Sequence, residues 1–381
     1  MFNDAVLFWV CVGLLGYTYL GYPALIWLWA TLQPPPPPRR GTEPTVTLVI
    51  VAHNEAARIA GRLENLLSLD YPGDRVEIVL GSDGSTDGTA DRGRAFDHAG
   101  VTVVGFETRR GKPAVLNDLV PKARGEIVIM ADARQRFERG ALRALTAAFE
   151  DPRVGAVSGE LILTDIANAT TVGKGVGFYW RYEKFIRANE SRVDSTVGAT
   201  GAIYAIRREL FAPIADDTML DDVLIPLNVA SRGYRVLFEP RARAYDRVSS
   251  TAREEFTRKV RTIAGNFQLF ARERWLLDPA RNRLWLQTVS HKALRLITPL
   301  LHVGAFVANL ALVTAPFYRW TLGVQILFYT AALGGYALRN SRRRIWLLTV
   351  PYVICLLAWT TVVGFVRFAA GRQRVTWDRT S

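Results

Sequence analysis

The sequence has little cysteine, too few acidic residues to balance its basic ones, and no internal repeat. Its two cysteines, Cys11 and Cys355, both sit inside apolar runs. They read as packed or lipid-facing thiols, and their number and spacing exclude a disulfide framework or a cysteine-based zinc site. Acidic residues number 35 against 48 lysines and arginines, a net charge of +13. Such a surplus would suit nucleic acid, but no nucleic-acid-binding motif accompanies it, so no nucleic-acid partner is expected. The arginines instead flank apolar runs, an arrangement that suits membrane lipids with anionic headgroups. At 381 residues the chain is long enough for two domains of ordinary size.

What is present falls into blocks. Ala5 to Leu32 is an apolar run without charge. About 20 residues at 1.5 Å each cross a bilayer core, so this run can span with tilt. It is too long for a signal-peptide core and has no basic start, so a retained anchor over residues 1–32 is expected. Pro34 to Pro38, followed by Arg39-Arg40, forms a stiff polyproline spacer within residues 33–44. Its arginines place that side in the cytoplasm. From Thr45, strands at Val46–Val51, Val76–Leu80, Val101–Val104, Ile127–Met130 and Val154–Ser158 alternate with helices. The helices fit Glu55–Leu69, Thr86–Ala99, Pro113–Lys122 and Gly140–Phe149. This alternation predicts an α/β domain over residues 45–272, built on a mostly parallel, doubly wound sheet.

After Glu160 the pattern loosens. Helices fit Thr170–Asn189, Asp221–Ser231 and Glu254–Phe270, with a turn and a strand over Gly198–Ile206. Leu284–Ile297 mixes tryptophan and leucine with His291, Lys292 and Arg295, which predicts interfacial helices over residues 273–298. Leu300–Pro316, Thr321–Leu338 and Ile345–Phe368 are candidate spans within residues 299–368, followed by a basic tail over 369–381. The basic loop Arg339–Arg344 is expected on the cytoplasmic side. Four spans would put the arginines between Arg372 and Arg379 outside, against the positive-inside tendency. Pro351 offers a bent or re-entrant last segment as the way out.

Ligands of open α/β sheets bind at the carboxyl ends of the strands. Three such ends are polar here: Val51-Ala52-His53-Asn54-Glu55, then Gly81-Ser82-Asp83-Gly84-Ser85-Thr86-Asp87-Gly88-Thr89, then Met130-Ala131-Asp132-Ala133-Arg134. Asp83 can accept hydrogen bonds from a base or ribose. Any one cluster also reads as ordinary turn and cap chemistry. Three on one sheet edge favour a binding site.

Together with Arg110-Gly111-Lys112 and Leu116-Asn117, these motifs resemble family 2 glycosyltransferases, which have the nucleotide-sugar-binding fold called GT-A. The resemblance runs from about Thr45 to Phe270. With the apolar ends it extends to membrane-embedded polysaccharide synthases of the cellulose, chitin and hyaluronan type. It implies that His53, Glu55 and Asp83 line the nucleotide pocket and that Lys112 lies near the diphosphate. Asp132 matches the first Asp of the family's Asp-Ala-Asp metal motif, and Arg134 stands where the second would be. Magnesium can use a single carboxylate, with phosphates and water completing its shell, so Mg2+ or Mn2+ remains the implied cofactor. Arg134 either lends positive charge to a leaving diphosphate or points to solvent.

The resemblance further implies an acceptor-side loop at Gly198-Ala199-Thr200-Gly201-Ala202, where a small-residue turn is the plain alternative. Asp221-Asp222 resembles the family's Glu-Asp pair, with Asp222 as the base that deprotonates an acceptor hydroxyl. Acids also favour any helix N-terminus. Arg258-Lys259-Val260-Arg261-Thr262 falls where the synthases carry Gln-x-x-Arg-Trp. Arg258 and Arg261 share a helix face and could hold phosphate oxygens, or lipid headgroups. Thr262 replaces the tryptophan, which weakens the case for a processive channel.

The resulting expectation is an inverting transferase of an integral membrane protein, bacterial inner membrane being the expected setting, with its catalytic domain cytoplasmic. It would take a UDP-linked sugar and extend a polysaccharide or glycolipid acceptor, with a homo-oligomer or an export partner where secretion requires one. Single addition to a lipid carrier and a non-catalytic nucleotide-sugar-binding assembly subunit are the alternatives.

Overall fold

The structure is a computed structural model that describes residues 2–36, 41–164, 171–247, 252–339 and 345–372. The end of the proline spacer with Arg39-Arg40, Thr170, most of the basic loop Arg339–Arg344 and the tail beyond Arg372 lie outside these residues.

Strands β1 (Val46–Ala52), β2 (Val76–Asp83), β3 (Val101–Phe106) and β4 (Ile127–Asp132) pair in parallel, in the order β3-β2-β1-β4. Both faces of this half are covered, which explains their unbroken apolar runs. Leu48, Ile50, Ile127 and Ile129 feed one core with Ile59 and Leu63 of α3 (Ala56–Leu67). Val49, Val128 and Met130 feed the other with Val115 and Leu116 of α5 (Lys112–Leu119). Each such side chain, fully buried, contributes about 1.5–3 kcal/mol. The helices expected over Thr86–Ala99 and Gly140–Phe149 are shorter, α4 (Thr89–Arg94) and α6 (Ala141–Thr146), each followed by a 3-10 turn.

The other half of the sheet departs from the parallel expectation. β7 (Ile203–Arg207) inserts between β4 and β6 (Val154–Thr164) and runs antiparallel to both. Ile203 pairs with Ala131, so the chain enters β7 at the edge where β4 ends. That reversal delivers the Gly198–Gly201 turn to the same edge as Asp132. A thirteen-residue strand, β8 (Arg235–Arg247), lies parallel to β6, with the two-residue β5 (Arg136–Phe137) at its far side. β8 is hidden in the sequence by its arginines and by Pro240. The proline falls in the register shift between Ser158 and Glu160 of β6, where a strand tolerates it. α7 (Thr171–Val193), α8 (Asp221–Ser231) and α9 (Ala252–Arg272) complete the domain.

Among the described residues, three helices are long and apolar enough to cross a membrane: Phe2–Thr31, Trp285–Ala311 and Trp346–Ala369. The first joins α1 (Phe2–Gly16) to α2 (Tyr22–Thr31) through a π turn at Tyr17–Gly21. The second joins α10 (Trp285–Thr288) to α11 (Leu294–Ala311) through a π turn at Val289–Ala293. Backbone hydrogen bonding thus carries Leu284–Ile297 straight into the next apolar stretch. α12 (Pro316–Ala337) covers the expected Thr321–Leu338 span but is not among the three. The carboxyl half of α13 (Trp346–Ala369) packs along α9. Phe267 meets Phe365 and Phe368 at ring-centroid distances of 5.2 and 6.1 Å. Gly364 lies so close that an added Cβ would stand 2.7 Å from Ile263.

Candidate active site

The ends of β1 and β2 interlock. Asn54 takes a left-handed conformation (φ 54°), which asparagine tolerates, and its side-chain oxygen accepts the Thr86 N–H at 2.8 Å. The Glu55 and Ala56 N–H groups, left without partners by the start of α3, donate to Thr89 Oγ1 (2.9 Å) and Asp87 Oδ2 (3.0 Å). His53 Nδ1–H donates to the Asp83 carbonyl at 2.6 Å. The Glu55 carboxylate pairs with Arg58 at 2.8 Å. Gly84 has φ +59°, and a Cβ there would lie 2.4 Å from the Arg109 nitrogen, so only glycine fits.

Asp83 is buried, and its two oxygens accept the N–H groups of Arg110 (2.7 Å) and Gly111 (2.8 Å). This pair fixes the backbone just before Lys112, the first residue of α5. Lys112 Nζ in turn lies 2.9 Å from Asp132 Oδ1 and 3.3 Å from Asp221 Oδ2. The loops after β1 and β2 and the carboxylate cluster are thus joined through one short segment.

Asp221 and Asp222 open α8. Gly201 N–H donates to Asp222 Oδ2 at 2.8 Å, and Ala199 N–H donates to the Asp222 carbonyl at 2.7 Å. A Cβ on Gly201 would meet Asp222 Oδ2 at 3.2 Å and Lys112 Nζ at 3.6 Å, so a side chain there would crowd the carboxylate. Thr200 N–H is held by Ser158 Oγ at 3.1 Å, and Gly198 (φ +87°) packs on Val223.

Charge and burial set the ionisation of this cluster. Burial, then Asp221, pushes the Asp222 carboxyl up to about 6, against the pull of Lys112 and the Gly201 N–H. Burial works to lower the Lys112 ammonium, but Asp132 and Asp221 outweigh it and hold Lys112 above its ordinary value. Burial brings Arg261 down from its usual value, although Asp221, Asp222 and Asp132 draw it the other way.

The structure therefore brings Lys112, Asp132, Asp221, Asp222, the Gly198–Gly201 turn and Arg261 to one place. His53, Glu55 and Asp83 stand on the adjoining strand ends. Arg258 lies one turn before Arg261 on α9, half-buried, with its carbonyl accepting the Thr262 hydroxyl at 3.1 Å. Arg134 is exposed. Tyr204 was not foreseen. It is fully buried on β7, and its hydroxyl makes no hydrogen bond among the described residues. Burial and the charges of Asp221, Asp222 and Asp132 keep that phenol protonated. Strand alternation gives a face for such a residue but not its neighbours, so no local signal marks it.

Among the described residues no three His, Cys, Asp or Glu side chains gather around a common point as a metal cage would. Asp132 has one oxygen engaged by Lys112, and its side chain is 34% exposed. That leaves one carboxylate oxygen for a cation whose other ligands come from phosphate and water, an arrangement magnesium accepts.

Residues 47–214 match the sequence profile of Glycosyl transferase family 2. The chain carries a family 2 glycosyltransferase domain. The matched stretch holds His53, Glu55, Asp83, Lys112, Asp132 and the Gly198–Gly201 turn, whereas Asp221, Asp222, Arg258 and Arg261 lie beyond it. The chain is 26% identical over 243 residues to a probable glycosyltransferase, YdaM, of Bacillus subtilis (strain 168), covering 58% of this chain and 55% of that protein. It is 24% identical over 234 residues to a poly-beta-1,6-N-acetyl-D-glucosamine synthase of Staphylococcus aureus (strain COL), covering 60% and 56%. It is 31% identical over 166 residues to a beta-monoglucosyldiacylglycerol synthase of Nostoc sp. (strain PCC 7120), covering 42% and 35%. The glycosyltransferase domain and its flanks thus span about half the length, or less, of these curated relatives. The fold is shared with mannosyltransferase PcManGT from Pyrobaculum calidifontis, solved with GDP-Man and Mn2+. The TM-score is 0.74 at 24% identity, covering 96% of this chain and 99% of that one.

Proposed function

We propose that the chain transfers a sugar from a nucleotide sugar, UDP-linked by its resemblance to the synthases, to a glycan or glycolipid acceptor at a membrane. The reading rests above all on Asp222. Its carboxylate opens a helix at the sheet edge, is raised to about 6, and is held by Gly201 N–H on the acceptor-side turn. A carboxylate so placed takes a proton from a hydroxyl at hydrogen-bond distance, about 3 Å. The freed oxygen attacks the anomeric carbon as the bond to the nucleoside diphosphate breaks, in one displacement that inverts configuration. Asp83 and the loops around His53 and Glu55 would seat the nucleoside. Lys112, Arg258 and Arg261 would face the diphosphate. Asp132 would hold a divalent cation through its remaining oxygen, and a bound cation would supply charge to offset the leaving diphosphate.

Transfer of a single sugar is favoured over polymer extension by Thr262. It is exposed, and its hydroxyl folds back to the Arg258 carbonyl, so it offers no ring on which an acceptor sugar could stack. The three apolar helices suit a membrane-bound acceptor.

The test is nucleoside diphosphate release by the detergent-purified chain across a panel of nucleotide sugars with a lipid extract, in Mn2+, Mg2+ or EDTA, with the product sized. Turnover of one donor, loss of at least about tenfold in EDTA and a product one sugar longer are expected. Full activity in EDTA would remove the cation from Asp132. Nucleotide binding without turnover of any donor would favour a non-catalytic assembly subunit.

A further inference from the structure

Away from the carboxylate cluster, the membrane helices meet the domain through a buried ionic knot. His291 lies in the π turn of Trp285–Ala311 and is fully buried. Its Nε2 is 2.9 Å from Glu183 Oε2, and its Nδ1 is 2.9 Å from Glu190 Oε1, both on α7. Arg295 also pairs with Glu183. Burial would push the Glu183 carboxyl up, but Arg295 and His291 overcome this and hold it well below the usual range. Glu190 accepts the Tyr22 hydroxyl at 2.6 Å on Oε1, and the Thr196 hydroxyl (3.3 Å) and Val197 N–H (3.4 Å) on Oε2. His291 thus bridges the two glutamates through both of its ring nitrogens. Lys292 and Arg187 lie in the same charge field.

This knot reaches the reaction. Thr196 and Val197 lead directly into Gly198–Gly201, whose last N–H holds Asp222 Oδ2. The π turn carrying His291 also faces the one at Tyr17–Gly21, where the Tyr17 hydroxyl and Ser290 Oγ are 2.8 Å apart. Such widened turns within helices commonly mark functional positions. The sequence pattern set His291 at a lipid interface, yet the structure turns it wholly into protein.

We propose that His291 is a positioning residue: through Glu190 it ties the helix Trp285–Ala311 to the acceptor-side turn and thereby sets Gly201 N–H against Asp222. A membrane helix then governs the base from a distance, and a shift of that helix would loosen the turn. The consequence for rate rests on the proposed base role of Asp222, whereas the tie itself does not.

The test compares the full chain with His291→Gln and with Thr196→Val, which removes only the far contact of the knot and keeps side-chain shape. In both variants, hydrogen exchange of the 196–201 amides should quicken at least about threefold while β1 and β4 exchange as before. The acid limb of the pH–rate profile should move upward, since Asp222 loses the N–H that favours its charged form, lowering the rate at pH 5.5 about threefold. Unchanged exchange over 196–201 in a folded variant would overturn the proposal whatever happens to activity. Faster exchange with an unmoved acid limb and an inactive Asp222→Asn control would overturn it too, since the turn would not then be setting the base. An active Asp222→Asn would instead overturn the base role, leaving the exchange rates to decide the tie.

Discussion

Asp222→Asn is expected to release nucleoside diphosphate about 10²–10⁴-fold more slowly than the native chain, the range for removing a positioned general base. The same substitution should stabilise the fold. A carboxyl whose folded-state value is about 6 against an ordinary 3.8 is held more easily protonated than ionised. The folded state therefore bears a cost that is absent below the unfolded value, grows as pH rises through about 4 to 6, and is full above that. At about 1.4 kcal/mol per unit the cost approaches 3 kcal/mol at pH 8, and asparagine removes most of it. The unfolding midpoint of Asp222→Asn should thus lie above that of the native chain at pH 8, and the two should converge toward pH 4. An inactive variant with a lower midpoint at pH 8 would point to a structural role instead.

The second large effect is expected at Lys112. Its ammonium stands between Asp132 and Asp221 and lies close to Gly201 and Asp222. Lys112→Met keeps most of the length of the side chain and leaves Asp132 and Asp221 without the cation between them. Breaking a largely buried pair by removing one partner typically costs about 3–5 kcal/mol. Because Lys112 keeps 17% exposure, water softens the loss toward the lower figure. Lys112 is also one of the two groups that pull Asp222 downward, so its removal should shift the acid limb of the rate profile upward. Measured together, thermal unfolding and the pH–rate profile separate these effects. A destabilised variant whose acid limb has not moved would remove Lys112 from the electrostatics of the base.

Much of this arrangement could be read from the chain. The parallel half of the sheet was legible because buried strands must be apolar throughout, and three of its four strands ended in a visible polar cluster. The antiparallel entry of β7 was not, because pairing direction depends on where the preceding turn delivers the chain. β8 escaped because arginines and Pro240 mask a strand whose long side chains lie along an exposed surface. Lys112 was seen as a residue near the diphosphate, but its bridge between carboxylates from β4 and α8 is a matter of tertiary placement. His291 shows the limit most clearly. A histidine among leucines and tryptophans suits a lipid interface equally well, and only the meeting of α7 with the helix Trp285–Ala311 supplies the two glutamates that turn it inward.

The pH dependence of nucleoside diphosphate release at low donor concentration bears most directly on a half-buried carboxylate acting as base. The native chain should lose activity about tenfold per unit below an apparent value near 6, with the limb absent from the residual rate of Asp222→Asn. A rate that stays level from pH 8 down to pH 5, or a limb that persists unchanged in Asp222→Asn, would contradict it.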